Sequence, residues 1–325
     1  MAIIDKHQAL GYNYNRTKQG EITMLKRVKA PTKQEYTNIY GTIPQKPEHL
    51  SYVVEDSDIG FAAGKATMSK HRMIIDLGEK EISLNFSSVL PNIDGKFPVV
   101  IILTDEKSIP NKYLPAEEII DRGYGIFTLC IDDVATNDGN FKSGICGHIA
   151  RSRKKKNAAG KLSVWAWAIM RVLDCVSDNS KVDKSAITIA GHGIYARAVL
   201  LAGGLDDRVG YVIANNIYSF PIPFSEENAK SSITVRDFPY IYSSEFAENP
   251  SGDELDVLIN SCKAKHILIG CANGGEYFDT EYNKILALSQ NDDGLISYHI
   301  RSGSNYFSRE DWNIYFDFID KKLKK

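Results

Sequence analysis

The stretch Ala186-Ile187-Thr188-Ile189-Ala190-Gly191-His192-Gly193-Ile194-Tyr195-Ala196-Arg197-Ala198-Val199-Leu200 decides the fold. Ala186 to Ala190 form a short apolar run of strand length, the pattern of a strand covered on both faces. Gly191 and Gly193 mark a tight turn directly after it. From Ile194 to Leu205 the residues, Tyr195 and Arg197 apart, are small or aliphatic and no proline interrupts them, which predicts a helix that packs closely on the sheet. A buried strand, a glycine turn and a helix in this order belong to an α/β architecture.

The flanking chain repeats the alternation. Phe97 to Thr104 is a second unbroken apolar strand. Helix follows at Leu114 to Asp121, strand at Ile126 to Ile131, a long polar excursion from Asp132 to Leu162, and a helix from Leu162 to Val176. Beyond the central stretch come a strand at Val209 to Ala214 and an irregular aromatic and proline-rich region at Pro221 to Pro250. They are followed by helix Asp253 to Cys262, strand His266 to Cys271, helix Glu281 to Ser289, strand Leu295 to Ile300 and helix Glu310 to Leu323. Between Ser51 and Pro91 apolar positions alternate, and Met73–Leu77 and Ile82–Phe86 read as paired antiparallel strands. The expectation is a mainly parallel sheet with helices on both faces and added antiparallel strands. Residues 1–50 form an N-terminal arm, and 51–325 a single domain.

Of the 325 residues 43% are hydrophobic and 25% charged, the balance of an ordinary globular chain. A net charge of −2 gives no reason to expect nucleic acid or an anionic membrane as partner. No apolar run reaches the roughly 20 residues of a membrane span. The N-terminus lacks a basic region followed by an apolar core, so a cytoplasmic location is expected. The five cysteines, Cys130, Cys146, Cys175, Cys262 and Cys271, show no close metal-like spacing. They read as buried free thiols, and no metal or cofactor is expected. The basic run Arg151 to Lys156 reads as a solvated loop.

Four further pieces carry a family resemblance. Trp165-Ala166-Trp167, with Arg171, Leu173 and Asp174 following, is similar to a Trp-Ala-Trp-x-x-x-Arg-x-Leu-Asp helix. Val182-Asp183 leads into the central strand. Leu205-Asp206-Asp207-Arg208-Val209 is similar to Leu-Asp-x-Arg-Ile. Arg301, Gly303, Asp311-Trp312 and Phe316-Asp317-Phe318 follow a C-terminal Arg-x-Gly-x-His … Asp-Trp … Phe-x-Asp-Phe order. Together with the glycine turn, which outlines a Gly-x-Ser-x-Gly nucleophile elbow, they resemble the α/β-hydrolase fold and within it the glucuronoyl esterases and acetyl xylan esterase-like carbohydrate esterases. The resemblance implies a catalytic serine at position 193, where this chain has Gly193, and a catalytic histidine at 305, where it has Asn305. It implies an arginine at Ile194, a Gly-Gly at Tyr195-Ala196 and a lysine at Arg197. It also implies a histidine at Leu255.

Ester hydrolysis by such a family needs an oxygen nucleophile, a base in reach and a group that orients the base. Glycine has nothing to attack with, and asparagine does not exchange a proton near neutral pH. What can remain is an oxyanion hole formed by the Ile194 N–H at a helix start, with a second donor near Asp105. Glu276 or Asp279, in the loop after the 266–271 strand, stands where such hydrolases carry the acid; without a histidine to orient, each reads more plainly as a solvated carboxylate. His192 reads as a catalytic group or, more plainly, as a buried hydrogen-bonded histidine. Cys146-Gly147-His148 reads as a nucleophile pair or as a loop thiol. Trp165, Trp167 and Trp312 read as core packing. Phe238 to Tyr242 reads as lid packing or a sugar-stacking wall, and His299 as a sheet-face residue. His7, His49, His71 and His266 show no partner in sequence. Tyr195 stands where it could fill the pocket. The functional expectation is a degenerate esterase that binds a small carbohydrate or ester-like ligand at a pocket holding Ile194, Asp105, Tyr195, His192 and Arg197. The alternative is a working carboxylester hydrolase with relocated catalytic groups.

Overall fold

The computed structural model describes residues 32–217, 233–250, 254–262, 266–274 and 296–324. Their strands form a nine-stranded sheet: β1 (His49–Asp58), β2 (Ala66–Asp76), β3 (Glu81–Pro91), β4 (Phe97–Thr104), β5 (Gly125–Cys130), β6 (Val182–His192), β7 (Tyr211–Asn215), β8 (His266–Ala272) and β9 (Ile296–Arg301). The spatial order is β1-β2-β3-β5-β4-β6-β7-β8-β9. The first three strands are antiparallel and join the rest through an antiparallel β3–β5 pairing. From β5 to β9 every neighbouring pair is parallel. Met73, Ile74 and Ile75 face Leu84, Ser83 and Ile82, the register that the alternation predicts.

Helices cover both faces. On β4, Val99, Ile101 and Leu103 enter one core with α3 (Lys161–Asp178), α4 (Ile194–Leu205) and α5 (Glu254–Ser261). Val100 and Ile102 enter a second core with α2 (Ala116–Asp121) and α6 (Arg309–Leu323). Both faces of β4 are therefore covered by apolar cores, which is why Phe97–Thr104 lacks alternation. A helix α1 (Lys33–Tyr40), started by a Thr32–Glu35 capping box, packs Tyr36, Ile39 and Tyr40 into the first core. Residues 1–31, the expected helix Glu281–Ser289 and part of the 221–250 region lie outside the described residues. Residues 233–250 carry short helical turns. No helix among the described residues is long and apolar enough to cross a membrane.

The chain steps outward from β4 to β5, then crosses back to place β6 on the other side of β4. The carboxyl ends of β4 and β6 thus lie at a topological switch point, where open α/β sheets leave a crevice.

Candidate functional site

The turn from β6 into α4 has the geometry of a nucleophile elbow. Gly193 takes φ 59° and ψ −126°. Gly191 packs against the start of α4 so closely that a Cβ there would stand 2.6 Å from the Tyr195 carbonyl oxygen. Glycine at 191 is therefore a steric requirement of the tight turn. Gly193 donates its N–H to the Asn215 carbonyl at 2.9 Å, which ties the turn to β7. Ile194 carries the first N–H of α4, a position without an intrahelical acceptor.

Beside the turn lies a cavity of about 230 Å³. Its floor is the carboxyl end of β4, Ile102 to Asp105, with His192 and Tyr195; its rim is Asn111, Tyr113 and Leu114 on one side and Asn305 to Phe307 with Trp312 on the other. Asp105, the elbow residues His192 and Tyr195 flanking Gly193, and Asn305, three places far apart in sequence, thus converge on one locality. Ile194 and Arg197 do not line this cavity: the Ile194 side chain enters the first core, and Arg197 is fully buried on α4. The expected pocket role of the Arg197 side chain is corrected to an interior one at this cavity. The reason is the helical period, which turns position 197 inward from the turn. Glu276 and Asp279 lie outside the described residues, and the side chain of Leu255 is not described.

His192 is only partly buried and borders the cavity. Its Nδ1 lies 2.8 Å from the Asn215 side-chain oxygen. That oxygen also accepts from Asn216 at 2.7 Å, and the Asn215 amide nitrogen donates to the Tyr315 hydroxyl at 2.9 Å. The oxygen can serve His192 only as an acceptor, so Nδ1 carries the proton and Nε2 keeps its lone pair. Nε2 has no hydrogen-bond partner among the described residues. Burial pushes the His192 imidazole below its ordinary range, against the Asn215 hydrogen bond, so the neutral form prevails near neutrality. Phe307 stacks over His192 at 6.2 Å and on Trp312 at 4.1 Å. The Trp312 indole donates to the Tyr113 carbonyl at 2.8 Å, tying the two rims together.

Tyr195 forms a wall and leaves the cavity open. Trp165 meets its ring edge-on at 5.6 Å. Burial and the Asp105 charge push the Tyr195 phenol well above its usual range, so it stays protonated, with its hydroxyl on Asn137. Asn137 in turn accepts from Tyr240 at 2.9 Å. The fully buried Lys161 holds this loop through the Thr136 carbonyl and Asp138. Trp165 and Trp167 are both fully buried, with their indole N–H groups on the Ala135 and Gln45 carbonyls.

The loop that carries Asn305 is held from below. Arg301 is fully buried and donates to Asp311 at 2.9 Å and to the carbonyls of Ser302, Ser304 and Tyr306. Asp311 also closes the capping box of α6 with Ser308. His299 lies 3.6 Å from Asp311, so it belongs to this cluster rather than to a bare sheet face. Cys146 is buried and burial pushes its thiol up to about 11, while His148 is exposed beside Lys80. That pair is therefore not an activated thiol at neutral pH. Arg153 departs from the solvated run around it, donating to the Ala158, Ala159 and Tyr242 carbonyls. His71 and His266, without partners in sequence, stack on Phe86 and Tyr211. No group of three His, Cys, Asp or Glu side chains among the described residues is placed to hold a metal.

The sequence reading missed Asn215, Asn216 and the rim residues Asn111 and Tyr113. The signal for the first two was present: an apolar strand ending abruptly in Asn-Asn, with Asn216 in the left-handed region at φ 47°.

Fold and elbow together define an α/β-hydrolase-fold protein. Within that fold the chain resembles the glucuronoyl esterases and related carbohydrate esterases. The family model described as "Glucuronyl esterase, fungi" matches residues 74–217, from β2 through the elbow to β7. A carbohydrate esterase from an unknown prokaryotic organism is 25% identical over 243 residues, covering 64% of this chain and 55% of that protein. The 4-O-methyl-glucuronoyl methylesterase of Podospora anserina is 23% identical over 178 residues, covering 53% of this chain and 32% of that protein. The chain thus matches about half the length of the first relative and a third of the second. Among solved structures, a glucuronoyl esterase from Solibacter usitatus superposes with a TM-score of 0.74 at 19% identity, covering 88% of this chain and 89% of that one.

Proposed function

We propose that this chain is a degenerate carbohydrate esterase: a protein that binds a small carbohydrate or ester-like ligand beside its elbow and does not hydrolyse it. The observation that carries the reading is at residue 193. The backbone has the torsions of a nucleophile elbow, and the residue has no side chain. Asn305 borders the same cavity without a group that titrates near neutrality. A binding site survives such losses, because the crevice is made by the sheet and its loops rather than by the nucleophile. None of the five buried cysteines is in a disulfide, which supports a reducing, cytoplasmic setting.

A second reading, hydrolysis by relocated groups, has one observation in its favour. The Nε2 of His192 has the lone pair of a base and an asparagine behind it that fixes the tautomer. Turnover of 4-nitrophenyl acetate and of a methyl glucuronate ester separates the two. The binding reading expects the natural protein at the no-protein background and a Gly193→Ser/Asn305→His double variant above it. Turnover by the natural protein that His192→Gln abolishes would establish the second reading instead.

A further inference from the structure

The sheet ends at β1, a ten-residue strand that pairs with β2 on one side and is open on the other among the described residues. An open strand edge is a row of N–H and C=O groups that can template another strand, and proteins blunt such edges with charge, proline or a bulge. β1 is blunted in one half only. Its second half carries Glu55, Asp56 and Asp58, with an irregularity of register between Val54 and Asp56. Its first half, Leu50-Ser51-Tyr52-Val53-Val54, has no charge, no proline and no break in register.

The uncharged half is also where apolar surface is left open. Tyr52 is 39%, Val53 42% and Val54 57% exposed. Leu50, Tyr52 and Val54 face Ile75, Met73 and His71 of β2, so they continue the side of the sheet on which Met73 and Ile75 enter the first core. Leu50 still packs against that core, and the Tyr52 ring lies edge-on to His71 at 6.0 Å and to Phe86 at 6.2 Å. The apolar side of the sheet therefore runs out at a strand whose outer edge no described element covers.

We propose that the first half of β1 pairs antiparallel with the same segment of a second copy of this chain, about a two-fold axis at Ser51, so that one sheet runs through a symmetric dimer. The segment is its own complement. About Ser51, Leu50 of one copy faces Tyr52 of the other and His49 faces Val53, so no like charges are opposed and the irregularity at 54–56 stays outside the ladder. Leu50 and Tyr52 of both copies then meet on one side of the sheet and cover apolar surface that each copy alone leaves open. Lys46, which touches Asp174 at 3.2 Å and keeps its side chain 66% exposed, comes beside the Glu55–Asp56 end of the second copy. The carboxylates of that end are held within their own hairpin, Glu55 on Arg72 at 2.7 Å and Asp56 on Lys70 at 3.1 Å. A foreign strand running along all of β1 would have to pass this acidic, irregular half; the short self-pairing stops before it. The contact is isologous and closes at two copies. Its shortness makes the dimer weak and concentration-dependent, and it holds whatever the cavity binds.

The test is sedimentation velocity of the full chain over roughly 1–500 μM, because a weak dimer is populated by mass action. The mass should rise with concentration from 36.3 kDa toward twice that value. Val54→Lys, at an exposed position, should remove the rise and leave the thermal melt unchanged. A second variant reads the register. Residues directly opposite in an antiparallel pair have Cα atoms about 4.5–5.5 Å apart, inside the range a disulfide spans. Ser51→Cys under a mild oxidant should therefore give a covalent dimer, and Ser57→Cys, in the acidic half, should stay monomeric. The five natural cysteines are buried and do not compete. A natural chain that stays at the monomer mass throughout, a Val54→Lys variant that still dimerises, or equal cross-linking at 51 and 57 overturns the proposal. So does a monomer whose residue 50–54 amides are all protected from hydrogen exchange, which would show that the same chain covers its own edge.

Discussion

Asn215 holds His192 and the elbow at once: its side-chain oxygen lies 2.8 Å from His192 Nδ1, and its backbone carbonyl accepts from Gly193 N at 2.9 Å. The orientation of the imidazole and the position of the turn therefore depend on one residue at the end of β7. The imidazole should titrate below about 6.5 by NMR, with Nδ1 protonated in the neutral form. Asn215→Asp should raise that pKa, because a carboxylate then faces the ring. An unchanged titration in Asn215→Asp would show that the contact is not made in solution.

The same shift has a consequence for stability. The folded protein holds the His192 proton more weakly than the unfolded chain, and burial does the same to His71. Stability is then full above the unfolded value near 6.5 and declines as pH falls from there toward the lower folded values. Urea midpoints measured across this window should fall on acidification. They should fall less in His192→Gln, with the remainder assigned to His71.

The two glycines of the turn should respond differently to alanine. Gly193→Ala places a Cβ on a residue at φ 59°, a conformation that costs about 1–3 kcal/mol for a non-glycine residue. Gly191→Ala drives a Cβ to 2.6 Å and 2.7 Å from backbone atoms of Tyr195, which cannot turn aside as a side chain would. The loss of stability should be larger at 191 than at 193 by chemical denaturation. The reverse order would contradict the described turn.

Arg301 and Asp311 form a buried ion pair, each about 1% exposed, that joins β9 to α6 and carries the 302–306 loop. Removing one partner leaves an uncompensated charge, so Asp311→Asn or Arg301→Met should each cost about 3–5 kcal/mol. The Arg301→Met/Asp311→Leu double variant should cost less than the two single losses added together. Strict additivity would show that the pair is not coupled.

The thiols should be inert in the folded protein. All five cysteines are buried, and burial pushes Cys146 up to about 11 and Cys175 up to about 12. A disulfide reagent should titrate none of them natively at neutral pH and all five after denaturation. Rapid native reaction at Cys146 would restore the Cys146–His148 pair as a candidate.

Sequence alone determined the parts of this protein that depend on local pattern. The unbroken run at 97–104, the alternation at 73–86 and the glycine turn at 191–193 were each legible, because burial on two faces, burial on one face and a tight turn leave distinct signatures in a short window. The absence of a hydroxyl at 193 was equally plain. Tertiary structure decided what lies around that position. His192 faces a cavity because Asn215, on another strand, draws its Nδ1. Arg301 is a buried scaffold because Asp311, on the last helix, meets it. Arg197 turns inward while Tyr195, two residues before it, forms a wall. These roles arise from contacts between residues 10 to 100 positions apart, brought together by the packing of strands and helices. A side chain's hydrogen-bond partner and its access to water are properties of that packing, so the chemistry of the site became readable only once the sheet had placed its ends side by side.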